Sequence, residues 1–190
     1  MMKTVVRAAF FLFCFHACFA QQVTSQATTA GNDVQAVISQ QFGSQFVLVP
    51  GFPVLTGDFN GDGSEDAVFV VTTSHGGVQT GTDQFRVMDP SSEYFGLGDV
   101  RITSQFAPSL PGKQRYLLII HGNGKDGWHA KEPKDKFVLI NLAFDRLSVG
   151  HVQKKKKVFD DISVEETGIL NSFLFWNGKR YKWQPGVADL

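Results

Sequence analysis

Acidic and amide side chains are regularly spaced in one short segment, Asp58-Phe59-Asn60-Gly61-Asp62-Gly63-Ser64-Glu65-Asp66. Side-chain oxygens fall at its first, third, fifth and ninth positions, and a glycine stands at the sixth. This spacing is typical of a loop that wraps around a hard divalent cation. We expect calcium as the ligand, bound by the side chains of Asp58, Asn60, Asp62 and Asp66.

The loop has a simpler interpretation as an Asp/Asn/Gly-rich turn without an ion, because the same residue types favour tight turns. Three aspartates within nine residues repel one another at close range, however, and a bound cation relieves that repulsion. We therefore favour the metal. No pair of catalytic residue types lies beside the loop in the sequence, so we expect a structural ion.

Residues 57–70 resemble the calcium loop of the FG-GAP and VCBS repeats, which is also found in integrin alpha-chain propellers. In those repeats the loop reads Asp-x-Asp/Asn-x-Asp-Gly-x-x-Asp and leads into a short hydrophobic strand, here residues 67–71. The resemblance implies side-chain ligation by Asp58, Asn60, Asp62 and Asp66, and a backbone carbonyl ligand from Ser64. An EF-hand is a poorer match, because its twelfth position requires a glutamate and here holds Phe69.

The loop occurs once, whereas a propeller would repeat it in successive blades. The resemblance therefore implies a single loop within a small exported domain. The segment 175–181 looks similar to the closing hairpin of bacterial exported proteins, which implies no particular activity.

The N-terminus has the features of a secretory signal peptide. Lys3 and Arg7 precede an apolar stretch over residues 8–17, and Cys18-Phe19-Ala20 places small residues where a signal peptidase cleaves. We predict cleavage after Ala20 and a periplasmic or secreted protein. A lipid anchor at Cys18 is the alternative. The apolar stretch is shorter than the roughly 20 residues of a membrane span, so we expect no span.

Composition limits the remaining function classes. The chain has 18 basic and 18 acidic residues, so loss of Lys3 and Arg7 leaves a slight acidic excess. Nucleic-acid binding is not expected from that balance. Both cysteines, Cys14 and Cys18, lie in the predicted signal peptide. The mature domain must therefore be stabilised by its core without disulfides.

The sequence pattern predicts an α+β domain. We expect a signal peptide over residues 1–20, a disordered leader over 21–31 and one domain over 32–190. Its N-terminal helix, over 33–42, is expected to pack on a mainly antiparallel sheet. Asn177-Gly178 between two aromatic-rich strands predicts a hairpin with a two-residue type I′ turn. The predicted strands cover residues 45–49, 67–72, 85–88, 116–120, 137–142, 171–176 and 179–184.

These features predict a non-enzymatic binding or accessory module with one structural calcium ion. They do not decide whether such a module would bind a carbohydrate or a protein. The alternative is a secreted hydrolase with a site around His121, Asp126 and His129. We interpret four further carboxylates as solvated loop residues, namely Asp160, Asp161, Glu165 and Glu166.

Overall fold

The computed structural model describes residues 21–74, 77–78, 84–97, 99, 114–154, 157–166 and 170–186. The predicted signal peptide, residues 1–20, lies outside these residues. The chain divides into two compact units, Met1–Val34 and Gln35–Leu190, and all the described strands belong to the second. The fold is mixed α and β, rich in strands and mostly antiparallel, which confirms the predicted fold class at that level.

The described elements comprise two α-helices, one 3₁₀ helix and ten strands. They are α1 Gln21–Phe42, β1 Phe46–Leu48, β2 Leu55–Gly57, β3 Asp66–Thr73, β4 Arg86–Met88, α2 Pro90–Tyr94, β5 Tyr116–His121, the 3₁₀ helix Gly124–His129, β6 Asp135–Leu139, β7 Arg146–Lys154, β8 Lys157–Glu166, β9 Leu170–Trp176 and β10 Tyr181–Pro185. No helix in the described part of the chain is both long and apolar enough to cross a membrane.

The first sheet has the order β1-β3-β5-β6-β4, with β2 also paired to β3. Strands β3 and β5 are buried along almost their whole length, because both are continuous apolar runs that are covered on two faces. β4 pairs with β6 in parallel, and the other pairs of this sheet are antiparallel. The second sheet is fully antiparallel in the order β10-β9-β8-β7.

One hydrophobic core joins the two sheets. Val70 and Leu117 from the first sheet belong to the same buried cluster as Ile162 and Leu174 from the second. Each of these four side chains is at most 2% exposed. At an edge of the first sheet, Gln35 of α1 donates to the carbonyl of Phe46, and Phe42 packs edge-on against the Phe46 ring.

The described part of helix α1 covers Gln21–Phe42, a range that includes residues 21–31 as well as the predicted helix over 33–42. Helix α2 lies in a segment that the sequence did not predict as helical. Its Asp89 cap accepts a hydrogen bond from the Ser92 amide at 3.0 Å, and Pro90 begins its first turn. The aspartate cap and the proline are visible in the sequence. The helix has only five residues, however, which is too short to produce a helical pattern of apolar residues.

The long hairpin β7–β8 is the main element that the sequence analysis missed. Asp160, Asp161, Glu165 and Glu166 are strand residues, so their interpretation as loop residues was wrong. Asp161 is only 2% exposed. The two adjacent aspartates interrupt the alternation of apolar residues in β8, which hid the strand.

The predicted hairpin at Asn177-Gly178 exists, but its turn is different. Trp176 pairs with Tyr181, so four residues connect the strands. Gly178 has φ of 96°, whereas Asn177 is not among the described residues with positive φ, which excludes a type I′ turn. The Asn177 side chain instead accepts hydrogen bonds from the amides of Lys179 and Arg180.

Candidate metal centre

The acidic loop connects two adjacent strands of the first sheet. It leaves β2 at Gly57 and enters β3 at Asp66, and these two residues face each other in the antiparallel pair. Gly61 and Gly63 have φ of 74° and 84°, a region that residues with a Cβ rarely adopt. The two glycines let the loop coil tightly above the end of the hairpin.

The side-chain oxygens of the loop turn inward onto its own backbone amides. Asp58 accepts hydrogen bonds from the amides of Asp62 and Gly63, both at 2.9 Å. Asn60 Oδ1 also accepts from the Asp62 amide, and Asp62 Oδ1 accepts from the Ser64 amide, each at 2.9 Å. Predicted ligands at positions one, three and five are thus brought together on one side of the loop.

A lysine from a distant segment places a positive charge on this loop. Lys134 Nζ lies 2.7 Å from Asp62 Oδ2 and 3.5 Å from Ser64 Oγ. Burial alone would raise the pKa of Asp62, but hydrogen bonds from Lys134, Ser64 and Asn60 outweigh it and lower the pKa to about 2. The ammonium group therefore occupies a position at which the loop accepts a cation.

Asp66 differs from the other loop carboxylates because it is completely buried. Its two oxygens accept hydrogen bonds from the amides of Gly122 and Asn60, at 2.8 and 3.2 Å. Burial, followed by the negative charges of Asp62 and Asp58, outweighs these bonds and raises the pKa of Asp66 to about 7. A nearby positive charge would favour its ionised form.

The second sheet supports the loop from outside. Asp160 Oδ2 accepts a hydrogen bond from the Asp58 amide at 2.8 Å, and its other oxygen lies 2.8 Å from His151 Nδ1. The ring of Phe159 lies directly against Gly61, where a Cβ would overlap it. The loop is therefore positioned by the strand β8 as well as by β2 and β3.

The donor set fits a hard cation, since it consists entirely of oxygens and already holds an ammonium group. Within the described part of the chain, however, no three His, Cys, Asp or Glu side chains are grouped as metal ligands. The three loop aspartates are engaged with backbone amides and with Lys134. Sequence reasoning missed Lys134 and Asp160, because no local pattern marks partners so far along the chain.

The three residues of the predicted hydrolase site lie in different surroundings. His121 is 1% exposed, and its Nε2 lies 2.8 Å from the Tyr181 hydroxyl. Burial lowers the pKa of His121 to about 4, and the nearby carboxylates of Asp135 and Asp62 offset this only in part. Asp126 and His129 are exposed on the 3₁₀ helix, where the His129 ring stacks on Trp128. The contacts of His121 thus give the hydrolase no support.

Comparison of the chain with protein families, with curated proteins and with solved structures gives no match. The likeness of the loop to FG-GAP and VCBS repeats therefore remains a hypothesis based on its residues.

Proposed function

We propose that this protein is an exported calcium-binding domain, a non-enzymatic binding or accessory module in which the ion has a structural role. Asp58, Asn60, Asp62 and Asp66 would supply side-chain oxygens, and Ser64 its backbone carbonyl. The observation that supports this proposal is that three aspartates share one short loop and that one of them, Asp66, is fully buried. Lys134 balances Asp62, but Asp66 is buried among negative charges with a raised pKa.

A bound calcium ion would supply positive charge to the loop carboxylates. The protein's own contribution is to hold Asp66 at the first position of β3, directly before the buried residues Ala67 and Val68. Order in the loop is therefore linked to order in β3, an interior strand of the first sheet. Because a ligand that binds only the folded state stabilises it, calcium should raise the melting temperature.

Calcium titration of the purified protein tests the proposal directly. We expect one calcium site by isothermal titration calorimetry, and a lower melting temperature after chelation. Magnesium should bind poorly, because it requires a compact octahedral shell. The double variant Asp58→Ala with Asp62→Ala should lose the site. Asp126→Ala, which removes an exposed aspartate outside the loop, is the matched control and should retain it.

Absence of any heat of calcium binding, together with a melting temperature that chelators do not change, would show that the loop is only a turn. Loss of binding in Asp126→Ala as well would show that the effect is not specific to the loop.

Lys134 provides a sharper test, because its ammonium competes for the same carboxylates. Lys134→Met should increase calcium affinity by roughly tenfold, through loss of one repelling charge beside the ion. It should also lower the melting temperature when calcium is absent, since Asp62 loses its partner. Lys131→Met removes an exposed charge from the same segment and should change neither quantity. Weaker calcium binding in Lys134→Met would contradict this competition.

Export is proposed from the residues of the N-terminus alone. The segment from Lys3 to Ala20 has the charge, apolar stretch and small residues of a cleaved signal. N-terminal sequencing of the protein recovered from its native host should begin at Gln21. An intact N-terminus on protein retained inside the cell would contradict this part of the proposal.

A further inference from the structure

A cleft of about 220 Å³ lies between the outside of the acidic loop and the second sheet. Asn60 is shared between this cleft and the predicted calcium loop, whereas the loop aspartates Asp58, Asp62 and Asp66 are not among the described lining residues. The lining combines aromatic rings with short polar side chains. Its principal lining residues are Phe59, Asn60, Phe159, Asp160, Trp176 and Asn177.

The aromatic walls are fixed by packing on their far sides. Trp176 packs against Phe137 and Tyr181, with ring centroids 5.1 and 5.2 Å apart, and edge-on against His121 at 4.9 Å. Phe159 is backed by Gly61 of the loop. Both rings are partly exposed. A ligand would therefore meet aromatic surfaces that need little reorganisation.

The polar groups of the cleft suit a neutral ligand with hydroxyl groups. Asn177 Oδ1 already accepts from two backbone amides, which leaves its amide nitrogen to donate. Asp160 is the only charged residue among the described residues that line the cleft. An anionic ligand would be repelled by this carboxylate.

We propose that this cleft binds a neutral sugar residue. A pyranose ring has an apolar face of C–H groups that suits aromatic walls, and hydroxyls that suit a carboxamide and a carboxylate. The side chain of an aromatic peptide would use the rings but would not use the amide nitrogen of Asn177. The proposal concerns the outside of the loop and does not require that the loop binds calcium.

The β7–β8 hairpin offers a blocking variant and a matched control. Val152 lines the cleft and is 37% exposed, so Val152→Trp should fill the cleft without disturbing the core. Val158 lies on the same hairpin, is 65% exposed and is not among the lining residues. Val158→Trp therefore adds the same ring outside the cleft. Phe159→Leu is a second variant, which removes one aromatic wall.

Saturation-transfer NMR on the purified protein, with and without calcium, provides the measurement. The probes are the methyl glycosides of glucose, galactose, mannose and N-acetylglucosamine, together with glucuronate and N-acetyltryptophanamide. We expect saturable binding of at least one neutral glycoside. Affinity should fall by roughly tenfold or more in Val152→Trp. It should also fall in Phe159→Leu and remain unchanged in Val158→Trp.

The proposal is overturned if no neutral glycoside binds at millimolar concentrations, or if Val152→Trp binds as the wild type does. Tighter binding of glucuronate than of the neutral glycosides would also overturn it. Preferential binding of N-acetyltryptophanamide would identify a peptide site instead. Calcium titration of the same samples separates a failure of this proposal from a failure of the calcium proposal.

Discussion

His121 shows how the surroundings of one residue determine which chemistry it can perform. The sequence places it after a buried strand and before two glycines, a setting that allows an exposed catalytic histidine. The structure instead encloses it with Phe137, Trp176 and Tyr181. Its polar contact is with the Tyr181 hydroxyl, which is itself buried. These contacts indicate that His121 is a buried polar residue of the core, and that its hydrogen bond to Tyr181 links β5 to β10.

We predict that His121 stays neutral in the folded protein until the pH falls to about 4. Its folded-state pKa lies below the ordinary value of 6.5, so the unfolded chain takes up the proton first as the pH falls. The contribution of this group to stability should therefore decrease between pH 6.5 and pH 4, by about 3 kcal/mol in total. NMR titration of the imidazole gives the pKa, and urea unfolding of His121→Gln should show a shallower acid dependence than wild type. Protonation of His121 near pH 6.5 in the folded state would contradict the prediction.

The loop residues could be predicted from the sequence because they are local. Asp58, Asn60 and Asp62 lie within five positions, so their spacing alone indicates that they meet on one side of a turn. Lys134 and Asp160 contact the same loop from 72 and 102 positions away. Only the pairing of the strands determines these contacts. The sequence therefore predicted that these loop residues lie together, but it did not predict the contacts that Lys134 and Asp160 make with them.

The strands also differ in whether local sequence or a distant neighbour determines them. Strands β3, β5 and β6 were predicted because each contains a continuous apolar run. In β8 the buried apolar residues Ile162 and Val164 follow the adjacent Asp160 and Asp161. Asp161 is accommodated because Gly150, its partner in β7, leaves space for its side chain. That accommodation depends on the neighbouring strand, so the pattern of β8 alone did not predict it.

The contact between the loop and β8 gives a prediction at the level of elements. Gly61 and Gly63 share a positive φ, but only Gly61 has the Phe159 ring against it, whereas the space beside Gly63 is open. Gly63→Ala should cost about 1 kcal/mol through backbone strain. Gly61→Ala should cost at least about 1 kcal/mol more, because its methyl group overlaps a ring that is held in the sheet.

Urea unfolding of the two variants measures this difference, and Phe159→Ala tests its cause. In the double variant Gly61→Ala with Phe159→Ala, the extra cost should disappear, since the ring that opposes the methyl group is gone. Equal destabilisation by the two glycine substitutions would show that Phe159 does not restrain the loop.

At the scale of the whole molecule, the two sheets depend on each other through a shared core. Tyr181 of the second sheet contacts both His121 and Phe137 of the first. Asp160 and Phe159 add the contacts at the loop. No cysteine follows Cys18 in the sequence, so disulfides cannot secure these contacts in the domain. The other face of the first sheet has buried residues of its own, among them Phe69, Leu118 and Ile120. In the described part of the second sheet, by contrast, the buried apolar residues all belong to the shared cluster, so this sheet has no core apart from the first.

We therefore predict that both sheets unfold in one cooperative transition. Trp128 packs against Phe69 of the first sheet and Trp183 lies in β10, so variants that retain one or the other tryptophan report on each sheet separately. Their denaturation midpoints should coincide, and reducing agent should not change them.

Leu174→Ala, which empties a fully buried position in the second sheet, should lower both midpoints by the equivalent of about 2–5 kcal/mol. The exposed control Val158→Ala should change stability by less than about 0.5 kcal/mol. Separate transitions for the two tryptophans, or a loss in Leu174→Ala that only Trp183 detects, would show that each sheet has a core of its own.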